Sequence, residues 1–168
     1  MESKFKTVTH DTTQFYPLQN YLLTQLKKVD DSAAKMYKSS MQNHSDSALI
    51  TKAVFDSLAK EFVAYDIADT LIKQFYSQNI FQDRTTNSIT FTYTASADSL
   101  PLQSAEILLD SVSNVKRVFI TIIKQFNDST VTEKLGWKND ESFFINRITQ
   151  QKDKKETITQ TNVFWKKK

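Results

Sequence analysis

The stretch 115–151 reads VKRVFITIIKQFNDSTVTEKLGWKNDESFFINRITQQ, and apolar residues recur along it mainly at every second position. Polar turns at 127–129 and 139–141 separate three runs, which cover about 115–126, 130–138 and 143–151. Successive side chains of a strand point to opposite faces, so this period predicts strands with one buried face. Short polar turns between such runs predict consecutive antiparallel strands.

The same period continues on both sides of this stretch. A further run covers about 156–166, after a polar turn at 152–154. Upstream, apolar residues alternate with polar ones in two more runs, at Ile89, Phe91 and Tyr93 and at Ala105, Ile107 and Leu109. We therefore expect at least six strands that follow one another along the chain.

The first half of the chain has a helical period instead. The predicted elements are a helix over 17–29, a hairpin of runs 33–39 and 47–50, and two helices that together cover about 52–78. Pro17 suits a first helical turn and Thr51 suits an N-cap, while Asp66 or Asp69 could cap the second helix of the pair. The hairpin would turn through the polar residues 41–46.

Helices followed by a run of strands predict an α+β fold. We expect N-terminal helices packed on a twisted antiparallel sheet of about six or more strands, arranged as a meander. The polar start 1–14 is expected to be a disordered arm, 15–166 a single domain, and 167–168 a basic tail.

Composition excludes several classes of site. The 168 residues include one Gly and no Cys, so glycine-rich phosphate loops, thiol nucleophiles and cysteine metal sites are ruled out. The two histidines are His10, in the polar arm, and His44, at the hairpin tip. Catalytic zinc usually needs three fixed protein ligands, so we expect no metal site. We also expect no cofactor and no catalytic residue. We therefore lean towards a protein that is not an enzyme.

Net charge and hydropathy indicate which classes of partner the chain can have. The net charge is +3, without the dense basic stripe of a nucleic-acid binder, so no nucleic-acid partner is expected. No apolar run is long enough to cross a bilayer, and the polar start has no signal-peptide pattern.

Hairpin geometry places three charged residues in one row. A two-residue turn at 128–129 sets Lys124 opposite Glu133, and a connection over 138–142 sets Glu133 opposite Arg147. The row could be a charged binding patch beside an aromatic floor, or a cross-strand ion ladder at the rim of the core. We favour the ladder, in which two cations keep Glu133 ionised and make it a poor general acid.

Two tryptophans complete the candidate surface. Trp137 and Trp165 lie on strands rich in Thr, Asn and Gln, which would permit stacking on a sugar ring. Aromatic residues that alternate along strands more often belong to the core. The candidate surface residues are Lys124, Glu133, Arg147, Trp137 and Trp165.

Several segments are similar to those of small uncharacterised lipoproteins exported by Bacteroidetes. They are Phe15-Tyr16-Pro17-Leu18, Thr90-Phe91-Thr92-Tyr93-Thr94, Leu100-Pro101-Leu102-Gln103, Leu135-Gly136-Trp137-Lys138 and Val163-Phe164-Trp165. The resemblance implies a domain on the periplasmic or cell-envelope side, held to a membrane only through a lipid anchor. Such proteins carry the anchor on a cysteine, which this chain lacks. The resemblance implies no activity.

Two functions are therefore expected from different classes. The first is an exported, non-enzymatic binding or scaffolding domain, with a cytoplasmic location as the alternative. The second is a cone-shaped pocket protein of the NTF2-like or SnoaL-like type, which binds or isomerises a small apolar ligand; here the resemblance lies in the order of elements. A deep cavity that holds an acid or a histidine would favour the second.

An unpaired edge strand, at 156–166 or 88–94, is the expected route to a homo-oligomer.

Overall fold

A computed structural model describes residues 14–40 and 47–166, with only the main chain at Lys166. The tail 167–168, the hairpin tip and all of the predicted arm except Gln14 lie outside the described residues. His10 and His44 lie outside them as well.

The helices are short, and a pair of strands lies between the first and the second. They are α1 (Leu18–Asp31), α2 (Lys52–Ala59) and two 3-10 turns, Lys60–Val63 and Lys73–Phe75. The strands are β1 (Lys35–Ser40), β2 (Ala48–Ile50), β3 (Tyr76–Asp83), β4 (Ser88–Ala95), β5 (Leu102–Leu109), β6 (Val115–Gln125), β7 (Ser129–Lys138), β8 (Ser142–Gln151) and β9 (Thr157–Lys166). The Thr51 side chain caps α2, since its hydroxyl accepts a hydrogen bond from the Val54 amide at 3.4 Å.

Within the described residues, one antiparallel sheet contains nine strands in the order β2-β1-β9-β8-β7-β6-β5-β4-β3. Strands β3 to β9 form a meander, and β1 joins it by pairing with β9. The edges are therefore β2 and β3. The prediction of an edge at 156–166 or 88–94 is wrong, because β9 lies between β8 and β1, and β4 lies between β3 and β5.

One face of the sheet, here called the inner face, packs against the helices. Phe55 of α2 and Phe62 of the following 3-10 turn insert rings among aromatic residues of three strands. The fully buried residues of this layer include Leu22, Phe55, Phe62, Ile67, Tyr93, Ile107, Val118, Ile122, Leu135, Trp137 and Val163. These side chains fill the space between the helices and the sheet.

The sheet-rich, antiparallel character of the fold and the N-terminal hairpin are confirmed. One finer prediction is wrong: the helices do not form an N-terminal block, because β1 and β2 lie between them. The sheet, for which about six or more strands were expected, has nine and is larger than the run of strands read from the sequence.

Two helices were predicted over 52–78, and the prediction of the second one is also wrong, since no α-helix follows α2 there. The Asp66 and Asp69 carboxylates accept hydrogen bonds from amides two residues ahead, at 3.0 and 2.7 Å, which closes local turns in place of helix. Leu71, expected on a buried helical face, is 73% exposed. Tyr76 already belongs to β3.

Candidate functional site

Four charged side chains meet where the 3-10 turn Lys60–Val63 lies against the inner face. This group, the ion cluster, consists of Glu133, Arg147, Lys124 and Glu61. The Arg147 Nε donates to Glu133 Oε1 at 2.9 Å, and the Lys124 Nζ lies 3.1 Å from Glu133 Oε2 and 3.2 Å from Glu61 Oε2. Glu133 is only 2% exposed, whereas the other three side chains of the cluster reach solvent.

The electrostatics keep both central groups charged. Burial alone would raise the pKa of Glu133, but the hydrogen bond from Arg147 and the charge of Lys124 outweigh it and hold this pKa below its usual value. Burial would likewise lower the pKa of Lys124, yet its two carboxylate partners raise it. Glu133 is therefore a carboxylate at neutral pH and cannot act as a general acid there.

The predicted row of charges is correct in composition and half correct in register. Glu133 lies opposite Arg147, as predicted, but its partner on β6 is Ile122, while Lys124 lies opposite Val131. The error is two residues, so Lys124 stays on the same face and reaches Glu133 diagonally. The turn has two residues, as predicted, but it lies one position earlier, at 127–128, where the Phe126 amide donates to the Ser129 carbonyl at 2.8 Å.

The two predicted tryptophans do not join this cluster. Trp137 is 1% exposed and Trp165 is 5% exposed, and both lie among the rings of Phe55, Phe62 and Phe143. Neither indole has a face free to stack on a sugar, so a sugar-binding surface built on these two residues is not what the structure presents. They anchor the helices to the sheet.

A groove of about 440 Å³ lies instead on the opposite, outer face of the sheet. We call it the Gly136 groove; its aromatic walls are Phe119, Phe144 and Phe164, on β6, β8 and β9. These residues alternate with buried neighbours along their strands, so their rings project away from the core. The volume falls in the range of small-molecule sites.

Gly136, the single glycine of the chain, lines the groove beneath the ring of Phe144. It lies opposite Phe144 and Phe119, and a Cβ atom built on it would overlap the ring of Phe144. Any larger residue would therefore displace that ring. Trp137, Phe143, Val163 and Trp165 also line the groove, and because their side chains point into the core, they meet it with main chain.

Polar groups form the rim of the groove. Arg117 and Lys138 lie directly opposite each other at one end, and Lys138 Nζ forms an ion pair with Glu141 Oε1 at 2.6 Å. Asn162 lies opposite Phe144, with its Oδ1 accepting from Gln160 at 3.0 Å. The groove thus combines an apolar body with a cationic end.

Sequence reasoning missed this groove, although two signals for it exist. Three strands carry an outward aromatic beside an inward apolar residue, in the pairs Phe119-Ile120, Phe143-Phe144 and Phe164-Trp165. Such pairs mark a point where both faces of a strand are apolar. A glycine inside a strand further marks a close approach of another group.

Among the residues described, no three acidic or histidine side chains gather where they could hold a metal ion. In the same part of the chain, no helix has the length and hydropathy needed to cross a membrane. No protein-family model, curated protein or solved structure matches this chain.

Proposed function

We propose that the protein is a non-enzymatic binding domain that holds a small ligand in the Gly136 groove. The observation that carries the proposal is a built apolar groove on the face of the sheet that the helices leave uncovered. Solvent-facing aromatic rings around a main-chain floor are typical of sites that bind flat apolar molecules.

The filled inner layer argues against the pocket-protein alternative. Phe55 and Phe62 occupy the space under the sheet where such a protein would hold its ligand. The buried acid there, Glu133, is bound by two cations and is not free to act on a substrate. An isomerase would need an acid or base open to its cavity.

A titration with N-phenyl-1-naphthylamine, an uncharged aromatic dye, tests the proposal. We expect saturable binding, with the Phe119→Ser variant binding at least fivefold more weakly because one wall of the groove is gone. Phe81→Ser is the matched control: it removes an outward ring from β3 that is 57% exposed and lies outside the groove. Equal weakening in both variants, or no saturable binding, would contradict the proposal.

The NMR signal of one residue, Gly136, reports whether the dye binds in the groove. Protein labelled with ¹⁵N at glycine gives a single backbone amide signal from this chain, that of Gly136. Bound dye should shift this signal in wild-type protein and in Phe81→Ser. A saturable titration that leaves the Gly136 signal unmoved would place the ligand elsewhere.

The proposal includes the compartment. The segments similar to exported Bacteroidetes lipoproteins support a place on the periplasmic or cell-envelope side, with the binding domain held by a lipid anchor. Fractionation of the source cells, followed by detection with an antibody against this domain, tests it. Recovery in the cytoplasmic fraction would contradict the export proposal and leave the binding proposal intact.

A further inference from the structure

We infer that the ligand of the Gly136 groove is an amphiphilic anion, a molecule with a flat apolar body and one carboxylate or similar acidic group. This inference rests on the proposed binding function and adds the chemical class of the ligand. It follows from the arrangement of charges at one end of the groove.

Arg117 and Lys138 lie directly opposite each other on β6 and β7, both on the outer face. Like charges in directly opposite positions repel and destabilise a sheet unless an anion lies between or beside them. Lys138 has such an anion, because Glu141 lies 2.6 Å from its Nζ. This end of the groove therefore has two cations and one acid, and that acid pairs with Lys138.

Arg117 has no counter-ion in the described part of the chain. Within 14–40 and 47–166 its guanidinium makes neither an ion pair nor a hydrogen bond. On the neighbouring strand, Glu106 lies opposite Phe119 and forms no ion pair with Arg117. The guanidinium is thus left exposed at the mouth of an apolar groove.

This arrangement fits the two parts of an amphiphilic anion. A guanidinium offers two parallel N–H donors, which match the two oxygens of a carboxylate. A flat apolar body attached to that carboxylate would lie against the Phe144 ring, which covers Gly136. The Phe119 and Phe164 rings would lie on either side of it. Sugars and cationic ligands lack the acidic group that Arg117 would bind.

Two dyes with nearly the same aromatic body separate the two parts. 8-Anilinonaphthalene-1-sulfonate carries an acidic group, and N-phenyl-1-naphthylamine carries none. We expect Arg117→Gln to weaken binding of the sulfonate about tenfold and to change binding of the neutral dye less than twofold. Added salt should weaken only the sulfonate, because salt screens the exposed charge.

Arg84→Gln provides the matched control. It makes the same substitution and the same change of net charge at an exposed arginine outside the groove, and it should leave both dyes unchanged. Equal effects of Arg117→Gln on the two dyes, or equal effects of the two arginine variants, would overturn the anion inference while groove binding stands. Failure of the neutral dye to bind the wild type would overturn the proposed function itself.

Discussion

Arg147 and Glu133 face each other across β8 and β7, and two nitrogens of the guanidinium, Nε and Nη2, lie 2.9 and 2.8 Å from the same carboxylate oxygen, Oε1. The other oxygen faces Lys124, which in turn contacts Glu61 beside the helices. A buried acid is thereby compensated from two strands at once. The cluster connects the sheet to the segment that follows α2.

Glu133→Gln should destabilise the protein by about 1–3 kcal/mol at pH 7, since it removes the carboxylate that both cations share. The loss stays below the cost of breaking a fully buried pair, because Lys124 and Arg147 can turn to solvent. Denaturant unfolding measures the change. A binding carboxylate would behave differently, with stability retained and dye affinity lost.

The destabilisation by Glu133→Gln should itself depend on pH. The folded-state pKa of Glu133 lies below its unfolded value of about 4.3, so the carboxylate stabilises the fold above that pH. This contribution is lost as the pH falls through the folded-state pKa. The difference in unfolding free energy between wild type and variant should therefore shrink from pH 7 towards pH 3, and a constant difference would contradict the lowered pKa.

Glu61→Gln should cost less, about 0.5 kcal/mol, because both partners of the Lys124–Glu61 pair are partly exposed. High salt should remove most of this effect. The unfolding free energies of Glu61→Gln and Glu133→Gln, measured under identical conditions, show how much each acid contributes to the cluster. An equal loss in the two variants would mean that Lys124, and not Arg147, supplies most of the stabilisation of the cluster.

The sequence predicted what depends on local pattern. The alternation in β4 to β9 identified those strands, and it set the faces of Lys124 and Glu133 correctly despite a register error of two residues. The β7–β8 register was correct although the connection is three residues, 139–141. A shift of two residues leaves every side chain on its own face, so the prediction that these charged residues lie together remained correct.

What the sequence did not reveal depends on tertiary contacts. The pairing of β1 with β9 joins residues more than a hundred positions apart, and no local pattern encodes it. Edge strand β3 has few inward apolar residues, so its first residues carry little strand pattern. The helical spacing of Leu71 and Phe75 therefore led to a predicted helix where β3 begins. The groove was missed because the sequence reasoning considered Trp137 and Trp165, which point inward, and gave no role to the outward aromatic residues.

Tyr93→Phe should cost about 1 kcal/mol, because the Tyr93 hydroxyl accepts a hydrogen bond from the Tyr16 amide at 2.8 Å. Tyr93 is fully buried, and the ring of Phe15 packs on it at 4.6 Å between centroids, so the ring contact remains. The segment before α1 would lose its bond to β4. Amide exchange at Tyr16 should become faster, while protection of the β6 amides should remain high.

The contact between Gly136 and Phe144 gives the sharpest prediction. Alanine at 136 would displace the Phe144 ring from the sheet, which costs its packing, although alanine suits a strand better than glycine by about 0.5–1 kcal/mol. We expect a net loss of about 1 kcal/mol for Gly136→Ala in denaturant unfolding. Binding of the neutral dye should be lost with it, because the displaced Phe144 ring is one of the aromatic walls of the groove.

The same substitution should change sign when Phe144 is absent. In a Phe144→Ala background no ring remains to be displaced, so only the preference of a strand for alanine over glycine is left. Gly136→Ala should then stabilise the protein by about 0.5–1 kcal/mol relative to Phe144→Ala alone. The double-mutant cycle measures this coupling directly. If Gly136→Ala is equally destabilising in both backgrounds, the glycine is required by the backbone itself, and the ring of Phe144 does not explain why the only glycine of the chain lies at this position.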